Sequence, residues 1–333
     1  MSSAPSAPIS VSDARWLAQA FEPSSGLVRL VAMTERDYRA ASFLDDRMLQ
    51  ASVVSETRPL AEVVAALPAD MRQDARWIFH IGHVGSTLVS RLLGELDGVL
   101  ALREPRILRD LAMMPAGPRQ ATAPIIRQLV SRTFGADQVV LVKATSFVSE
   151  IAPLLVPPGE RALLLYAAPR NYIASIFAGA NSIKELERLT GVRAERMAAR
   201  VAGLPPLTTL AQRAAAAWAC EMTALEAAAA AMGDRQLAWA DFDVLLADFG
   251  PGLAKLAEFF GFDASLERAK EIVRGPLMSR YSKALEYEYS PSLRRELIEQ
   301  EVRLQGAAID DALGMLDAAA EHSPLLANVL ARC

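Results

Sequence analysis

The amino-acid sequence predicts an α/β fold in which a mostly parallel central sheet carries helices on both of its faces. Five short apolar segments of strand-like composition alternate with longer segments of helical periodicity, a pattern typical of parallel sheets that are buried on both sides. The chain has 333 residues, of which 52% are hydrophobic. It is therefore long enough for one large core with additional N- and C-terminal helices.

Residues 1–75 precede the first predicted strand of the central sheet. The chain starts without a basic segment followed by an apolar core, so we expect a frayed tail there rather than a signal peptide. From residue 12 to residue 70 the pattern is mostly helical, with one candidate strand at LVRLVAM. We therefore predict a tail and mainly helical cap over 1–75, an α/β core over 76–290, and a helical tail packed on that core over 291–333.

The five predicted central strands are short runs of β-branched and large apolar residues. In chain order they read RWIFHIG, GVLALRE, QVVLVKA, RALLLYA and RQLAWAD. A loop with the sequence GHVGST follows the first strand and leads into a helix predicted from about Ser86 to Glu95. Because parallel sheets bind ligands beyond the carboxyl ends of their strands, this loop occupies a ligand-binding position.

The residue types of this loop favour an anion. Gly82 and Gly85 permit a sharp turn that brings successive N–H groups near one ligand, and the following helix adds the positive end of its dipole. Ser86 and Thr87 can donate hydroxyl hydrogen bonds to phosphate oxygens. An ATP-binding loop would place a lysine directly before the Ser/Thr pair, whereas this chain has Gly85 there. The loop alone leaves open an ordinary turn in which a serine caps the helix.

Three further segments follow the loop in a fixed order: LREPR after the second strand, VKATS after the third and APRNYIASI after the fourth. Together with the loop they resemble the sulfotransferases that use 3′-phosphoadenosine 5′-phosphosulfate (PAPS), over roughly residues 76–290, and the tyrosylprotein sulfotransferases most of all. The family's loop typically reads Arg/Lys-Ser-Gly-Thr-Thr, and its five positions are taken here by His83, Val84, Gly85, Ser86 and Thr87.

The resemblance implies a P-loop NTPase-like three-layer fold and a PAPS-dependent transferase without a metal. Such an enzyme moves a sulfuryl group to an acceptor hydroxyl or amine by in-line displacement and releases 3′,5′-adenosine bisphosphate (PAP). It needs a base on the acceptor and donors on the leaving oxygens. The tyrosylprotein members carry a Glu-Thr-Arg triplet at an ungapped distance from the loop, where this chain has Glu104, Pro105 and Arg106.

Carried over, the resemblance implies that Glu104 is the base and that Arg106 contacts the acceptor or supports the residues around it. Lys143, at the end of the third strand, matches a lysine near the transferred group. Each of these residues could instead be an ordinary charge at a strand end. His83 replaces a residue with a permanent charge. A histidine can donate to the bridging oxygen of the leaving group and, when protonated, offset the negative charge that develops there. Because the ordinary pKa of histidine is about 6.5, this stabilisation depends on pH. We expect His80, inside the first strand, to be a core or supporting histidine.

The binding of the 3′-phosphate departs from the family pattern. The family uses an arginine at the end of the fourth strand and a serine eight positions later; Ser175 falls on the serine, but the arginine's position is Ala167. Arg170, one helical turn from Ser175, is our first candidate for a replacement. Lys283, in the segment SRYSKALEYEYSP, is the second. Phe242, in ADFDVLL, takes the place of an aromatic residue near the adenine.

The composition limits the partners. A net charge of −4 argues against a general nucleic-acid binder. The two cysteines, Cys220 and Cys333, form neither a disulfide framework nor a metal-binding spacing, which fits a reducing cytoplasm. No apolar run reaches the roughly 18 residues of a membrane span.

Two other functions stay open on the sequence. One is an ATP-dependent small-molecule kinase, which the missing lysine and the lack of an evident Mg²⁺-binding aspartate disfavour. The other is a non-catalytic nucleotide-binding protein on the same scaffold, which the changes at His83 and Ala167 allow. The acceptor could be a small molecule, a sugar, a lipid or a peptide, because fold-level likeness is weak support for a substrate. The sequence does not indicate the oligomeric state.

Overall fold

The computed structural model describes residues 12–50, 53–280 and 290–333. Its strands are β1 (Trp16–Glu22), β2 (Leu27–Ala32), β3 (Ser55–Pro59), β4 (Arg76–His80), β5 (Val99–Arg103), β6 (Val139–Lys143), β7 (Arg161–Tyr166) and β8 (Gln236–Asp241). Its helices are α1 (Glu35–Ala40), α2 (Leu60–Ala65), α3 (Ser86–Leu93), α4 (Arg106–Ala112), α5 (Ala116–Val130), α6 (Ala152–Leu155), α7 (Pro169–Phe177), α8 (Ala180–Met197), α9 (Leu210–Met232), α10 (Phe242–Ala247), α11 (Phe249–Phe260), α12 (Leu266–Arg274), α13 (Pro291–Ala320) and α14 (Pro324–Leu330). Short 3₁₀ helices cover Asp46–Met48, Ser146–Ile151 and Pro276–Ser279.

The central sheet has five parallel strands in the order β5-β6-β4-β7-β8. All five predicted strands are present, and the helix predicted from Ser86 is α3. From β4 the chain moves to one side through β5 and β6, then crosses to the other side for β7 and β8. The carboxyl end of β4 is therefore a topological switch point, where such sheets bind ligands.

The helices cover both faces of this sheet. Crossovers between parallel strands are right-handed, so connections that run in opposite directions along the sheet place their helices on opposite faces. Accordingly α3 packs against β4, β5 and β6, whereas α9 packs against β4 and belongs to a second group with α7, α8, α13 and α14. This arrangement is the predicted P-loop NTPase-like three-layer fold.

The N-terminal region differs from the prediction. Instead of a mainly helical cap it contains a three-stranded antiparallel sheet, β1-β2-β3, with only the short helices α1 and α2. The candidate strand LVRLVAM is confirmed as β2. The β1 segment WLAQAFE is buried at five consecutive positions because α4 and α5 pack against it. A strand covered in this way shows no polar alternation, and its periodicity cannot be told from that of a buried helix.

The C-terminal region consists of α13 and α14, which pack on α7 and α9. Ile309, Ala312 and Leu316 of α13 are fully buried in this contact. Across the described ranges, no helix combines the length and the apolar character needed to cross a membrane.

Candidate active site

The loop after β4 has the conformation of an anion-binding turn. Gly82, His83 and Gly85 have φ angles of 80°, 53° and 60°, in the left-handed region. Gly85 is the N-cap residue of α3, and Ser86 is the first residue inside the helix, so the sequence's alternative of a capping serine is not what forms. Because glycine has no side chain, the first N–H groups of α3 have no capping side chain to which they can donate.

A cavity of about 350 Å³ opens beside this loop. The loop, α7, the start of α8, α10 and the first turns of α13 all contribute to its wall. The lining residues are His80, His83, Val84, Gly85, Ser86, Thr87, Leu88, Ser175, Ala178, Gly179, Ser182, Phe242, Leu293, Arg294, Leu297 and Ile298.

Phe242 packs directly on the loop. A Cβ atom added to Gly85 would lie 2.0 Å from Cζ of the Phe242 ring, and the ring itself is only 1% exposed. Phe242 directly follows β8 and starts α10, whose N-cap Asp241 accepts hydrogen bonds from the N–H groups of Asp243 and Val244. The end of β8 thus places an aromatic wall against the glycine turn.

Glu104 and Lys143 meet beside the loop. They stand at the carboxyl ends of the adjacent strands β5 and β6, where Arg103 pairs in register with Lys143. Lys143 Nζ forms an ion pair with Glu104 Oε1 and lies 3.3 Å from Thr87 Oγ1. The Lys143 side chain is 1% exposed and that of Glu104 is 12% exposed. One buried cation therefore bridges the predicted base and the anion-binding loop.

His83 and Glu104 are the two non-glycine residues with a left-handed backbone in the described part of the chain. Such a conformation costs about 1–3 kcal/mol and is concentrated at functional sites. At Glu104 the surroundings enforce it: its N–H donates to Lys143 O at 2.7 Å, and Leu44 brackets the turn by donating to Arg103 O at 2.7 Å and accepting from Arg106 N–H at 3.2 Å. The N-terminal region thus shapes the turn that carries Glu104.

Arg47 is a site residue that the sequence did not reveal. Its Nη2 lies 3.5 Å from Glu104 Oε2, and its guanidinium forms an ion pair with Asp45 at 2.6 Å. The guanidinium carbon lies 3.3 Å from the centroid of the Phe43 ring. Arg47 and Glu104 are 57 residues apart, and no local pattern links them.

Arg106, predicted to contact the acceptor, is engaged by two aspartates. Its Nη1 lies 2.6 Å from Asp46 Oδ2, and its Nε lies 3.3 Å from Asp110 Oδ1. The hydrogen bond that Arg106 donates to Asp46 is the largest cause of the raised pKa of Arg106. The role of Arg106 toward an acceptor stays a prediction.

The two histidines near the loop are held differently. His80 is 5% exposed; its Nε2 lies 2.9 Å from Ala144 O, and its Nδ1 accepts from Gly82 N–H at 2.9 Å. These contacts require Nε2–H and make His80 the supporting histidine that the sequence predicted. His83 instead meets side chains of α8 through both ring nitrogens, and its ring lies edge-on to Tyr172, with centroids 6.1 Å apart.

Of the candidates for the 3′-phosphate, the structure brings Ser175 to the cavity wall but not Arg170. Arg170 is 44% exposed at its side chain and pairs with Asp310 of α13 at 2.5 Å. Ala167, at the arginine's position in the family, is fully buried, and its carbonyl accepts from Trp218 Nε1 at 2.9 Å. Lys283 lies outside the described residues.

Arg294, at the start of α13, is a cation of the cavity wall that the sequence reasoning missed. Its Nη2 lies 3.2 Å from Asp243 Oδ1, and its guanidinium carbon lies 5.1 Å from the centroid of the Phe242 ring. Asp243 also accepts from Asn171 Nδ2 of α7 at 3.0 Å. The one sequence signal for Arg294 was its closeness to the late segment in which the family has a basic residue.

Comparison with solved structures finds several similar chains, among them two sulfotransferases. The sulfotransferase domain from the curacin biosynthetic pathway is 13% identical over 68% of this chain and 89% of its own, with a TM-score of 0.44. Mouse sulfotransferase SULT7A1 complexed with PAP is 11% identical over 78% of this chain and 89% of its own, with a TM-score of 0.41. No protein-family model and no curated protein matches this chain. At such low identities and TM-scores these likenesses assign no activity to it.

Proposed function

We propose that this chain is a PAPS-dependent sulfotransferase that transfers a sulfuryl group to an acceptor hydroxyl or amine, with Glu104 as the base. The observation that carries the proposal is the cluster of Glu104, Lys143 and Thr87 beside a glycine turn without a lysine. A carboxylate for the acceptor, a buried cation and hydroxyl donors for the leaving group are the groups that in-line sulfuryl transfer requires.

The residues of the site divide the work of the transfer among them. Bound PAPS supplies the sulfuryl group: the acceptor oxygen or nitrogen bonds to sulfur as the bond from sulfur to the 5′-phosphate oxygen breaks, and that oxygen keeps the electron pair. Glu104 takes the acceptor's proton. Ser86, Thr87 and the N–H groups at the start of α3 hold the phosphate oxygens. Lys143 and protonated His83 stabilise the charge on the departing oxygen.

The ion pair between Lys143 and Glu104 sets a condition on this mechanism. A carboxylate oxygen that already accepts from an ammonium is not free to accept the proton of the acceptor. Lys143 already has Thr87 as a second partner, at 3.3 Å. A phosphate on the loop would draw the ammonium toward Thr87 and free Glu104 for the acceptor. Glu104 would then be available to the acceptor only after the donor has bound.

For the 3′-phosphate we propose Ser175 together with Arg294. Both line the cavity, whereas Arg170 lies outside its wall and pairs with Asp310. Arg294 is fixed by Asp243, and a guanidinium held in this way can still offer its other N–H groups to a phosphate. Phe242, beneath it, would form the wall against the adenine. For the acceptor we propose Arg106 and Arg47, whose Nη2 lies 3.5 Å from Glu104 Oε2.

A thermal-shift comparison of PAP, AMP and ATP with Mg²⁺ tests the proposal. A ligand that binds only the folded state raises the melting temperature by mass action, and we expect PAP to do so without any divalent ion and more strongly than AMP. If only ATP with Mg²⁺ raises the melting temperature, the protein is a kinase or another ATP-binding protein. If PAP binds but no acceptor supports PAP formation from PAPS, the non-catalytic alternative holds.

A further inference from the structure

His83 is held by two side chains of α8. Ser182 Oγ lies 3.3 Å from Nδ1, and Glu185 Oε1 lies 3.6 Å from Nε2. Ser182 and Glu185 are three residues apart on α8, so they present a hydroxyl and a carboxylate on the same face of the helix. The His83 side chain is only 12% exposed, and it lines the cavity beside the loop. The imidazole is therefore held between α8 and the anion-binding turn.

We propose that Ser182 and Glu185 are positioning residues of His83, Ser182 directing the ring into the cavity and Glu185 keeping it protonated, so that anion binding by the loop is coupled to the uptake of a proton. The identity of the anion rests on the proposed function, whereas the coupling rests on the geometry. A carboxylate near an imidazole favours the charged imidazolium. In that form Nδ1–H donates to Ser182 Oγ, and the ring faces the bound anion as a cation.

Other charged groups act on the same pair. Arg193 Nη2 lies 3.8 Å from Glu185 Oε1, and Arg193 in turn pairs with Glu221 of α9 at 3.4 Å. Burial lowers the pKa of Arg47, but hydrogen bonding with Asp45 and the nearby carboxylates, Glu185 among them, raise it above its ordinary value. Arg47 therefore lies in the field of Glu185. Because the two arginines share the charge of Glu185, its effect on His83 is smaller than in an isolated pair.

Two further residues, Tyr172 and Arg294, lie near His83 or its cavity but do not change charge near neutral pH. Tyr172 of α7 meets the His83 ring edge-on, and burial raises the pKa of its hydroxyl, so Tyr172 carries no charge near neutral pH. Arg294 of α13 lines the same cavity as a second cation. Among these groups, His83 is the one whose charge changes near neutral pH.

The test measures the dissociation constants of PAP and of inorganic pyrophosphate by calorimetry between about pH 5.5 and 8.5, without divalent ions, a range that brackets the ordinary pKa of histidine. For the wild type we expect affinity to fall about 10-fold as pH rises through the titration of His83, the value of one charge-assisted hydrogen bond. Glu185 favours the protonated form of His83 and therefore moves this fall in affinity to higher pH. Glu185→Gln should therefore move it down by about one pH unit.

Three further variants sharpen the result. Glu187→Gln removes the same charge from an exposed position of α8 and should leave the profile unchanged. His83→Lys supplies a permanent charge. In this variant the affinity should no longer fall about 10-fold with rising pH, and adding Glu185→Gln should have no effect on its pH dependence. Ser182→Ala should lower the affinity at every pH without moving the step. The titration of the ligands' own phosphates is common to all variants and cancels in the comparison.

The outcomes separate the coupling from the proposed function. A Glu185-dependent step with pyrophosphate but no binding of PAP supports the coupling and removes PAPS as the donor. PAP binding without a step in the wild type, or with a step that also shifts in Glu187→Gln or persists in His83→Lys, overturns the coupling and leaves the proposed function standing. If neither anion binds, both proposals fail.

Discussion

Gly85→Ala should destabilise the protein more than the same change at Gly82. A Cβ atom at position 85 would lie 2.0, 2.2 and 2.6 Å from three ring carbons of Phe242, whereas carbon atoms in contact are about 3.5–4.0 Å apart. The ring would therefore have to move by about 1.5 Å. It is only 1% exposed, so such a movement repacks its neighbours. At Gly82, nothing lies within 4 Å of the added Cβ.

Both variants carry the cost of an alanine at positive φ, but only Gly85→Ala adds the cost of overpacking against Phe242. Both positions have positive φ, 80° at Gly82 and 60° at Gly85, and an alanine in this region costs about 1–2 kcal/mol. At Gly85 overpacking adds about 1–3 kcal/mol. We therefore expect the free energy of unfolding to fall by about 1–2 kcal/mol in Gly82→Ala and by about 2–5 kcal/mol in Gly85→Ala.

Equilibrium unfolding in urea, followed by circular dichroism, gives both values. Phe242→Leu removes the ring, and in that background the two glycine variants should become nearly equal. The interpretation of Gly85 as a position fixed by the ring is refuted if Gly85→Ala is no more destabilised than Gly82→Ala. It is also refuted if the difference persists unchanged in the Phe242→Leu background.

Three further predictions concern binding, catalysis and acid stability. Glu104→Gln should lower PAP formation from PAPS by about 10²- to 10⁴-fold with the PAP affinity unchanged, and near-normal turnover would remove Glu104 as the base. Arg294→Ala should weaken PAP binding by about 1.5–3 kcal/mol but hardly affect the binding of AMP, which lacks the 3′-phosphate. Arg170→Ala serves as the matched control. Equal losses in both variants, or for both ligands, would contradict the assignment of Arg294 to the 3′-phosphate. Burial raises the pKa of Asp45, but hydrogen bonds from Arg47 outweigh it and bring the pKa below its ordinary value of 3.8. The stabilisation is therefore present above that value and lost as pH falls through the lowered pKa, so Asp45→Asn should flatten the decrease in melting temperature below about pH 4; a wild-type slope in the variant would count against this ion pair.

The sequence by itself determined the central sheet and the core of the candidate site. All five central strands are short apolar runs bounded by turn residues, and a fully buried parallel strand needs no other signal. Because parallel strands end at one edge of the sheet, residues that follow different strands meet there. This rule joins the loop at Gly82, the turn at Glu104 and the strand end at Lys143, although 39 residues separate the last two.

The tertiary structure alone decided what surrounds that core. The buried strand β1 has no periodicity of its own, and it becomes a strand because β2 pairs with it and α4 and α5 cover it. Arg47, Glu185 and Arg294 reach the site from three separate regions of the chain, and Arg170 turns instead to Asp310. Local sequence sets backbone preference and burial, but the direction of a charged side chain depends on which opposite charge the packing of distant elements brings within reach.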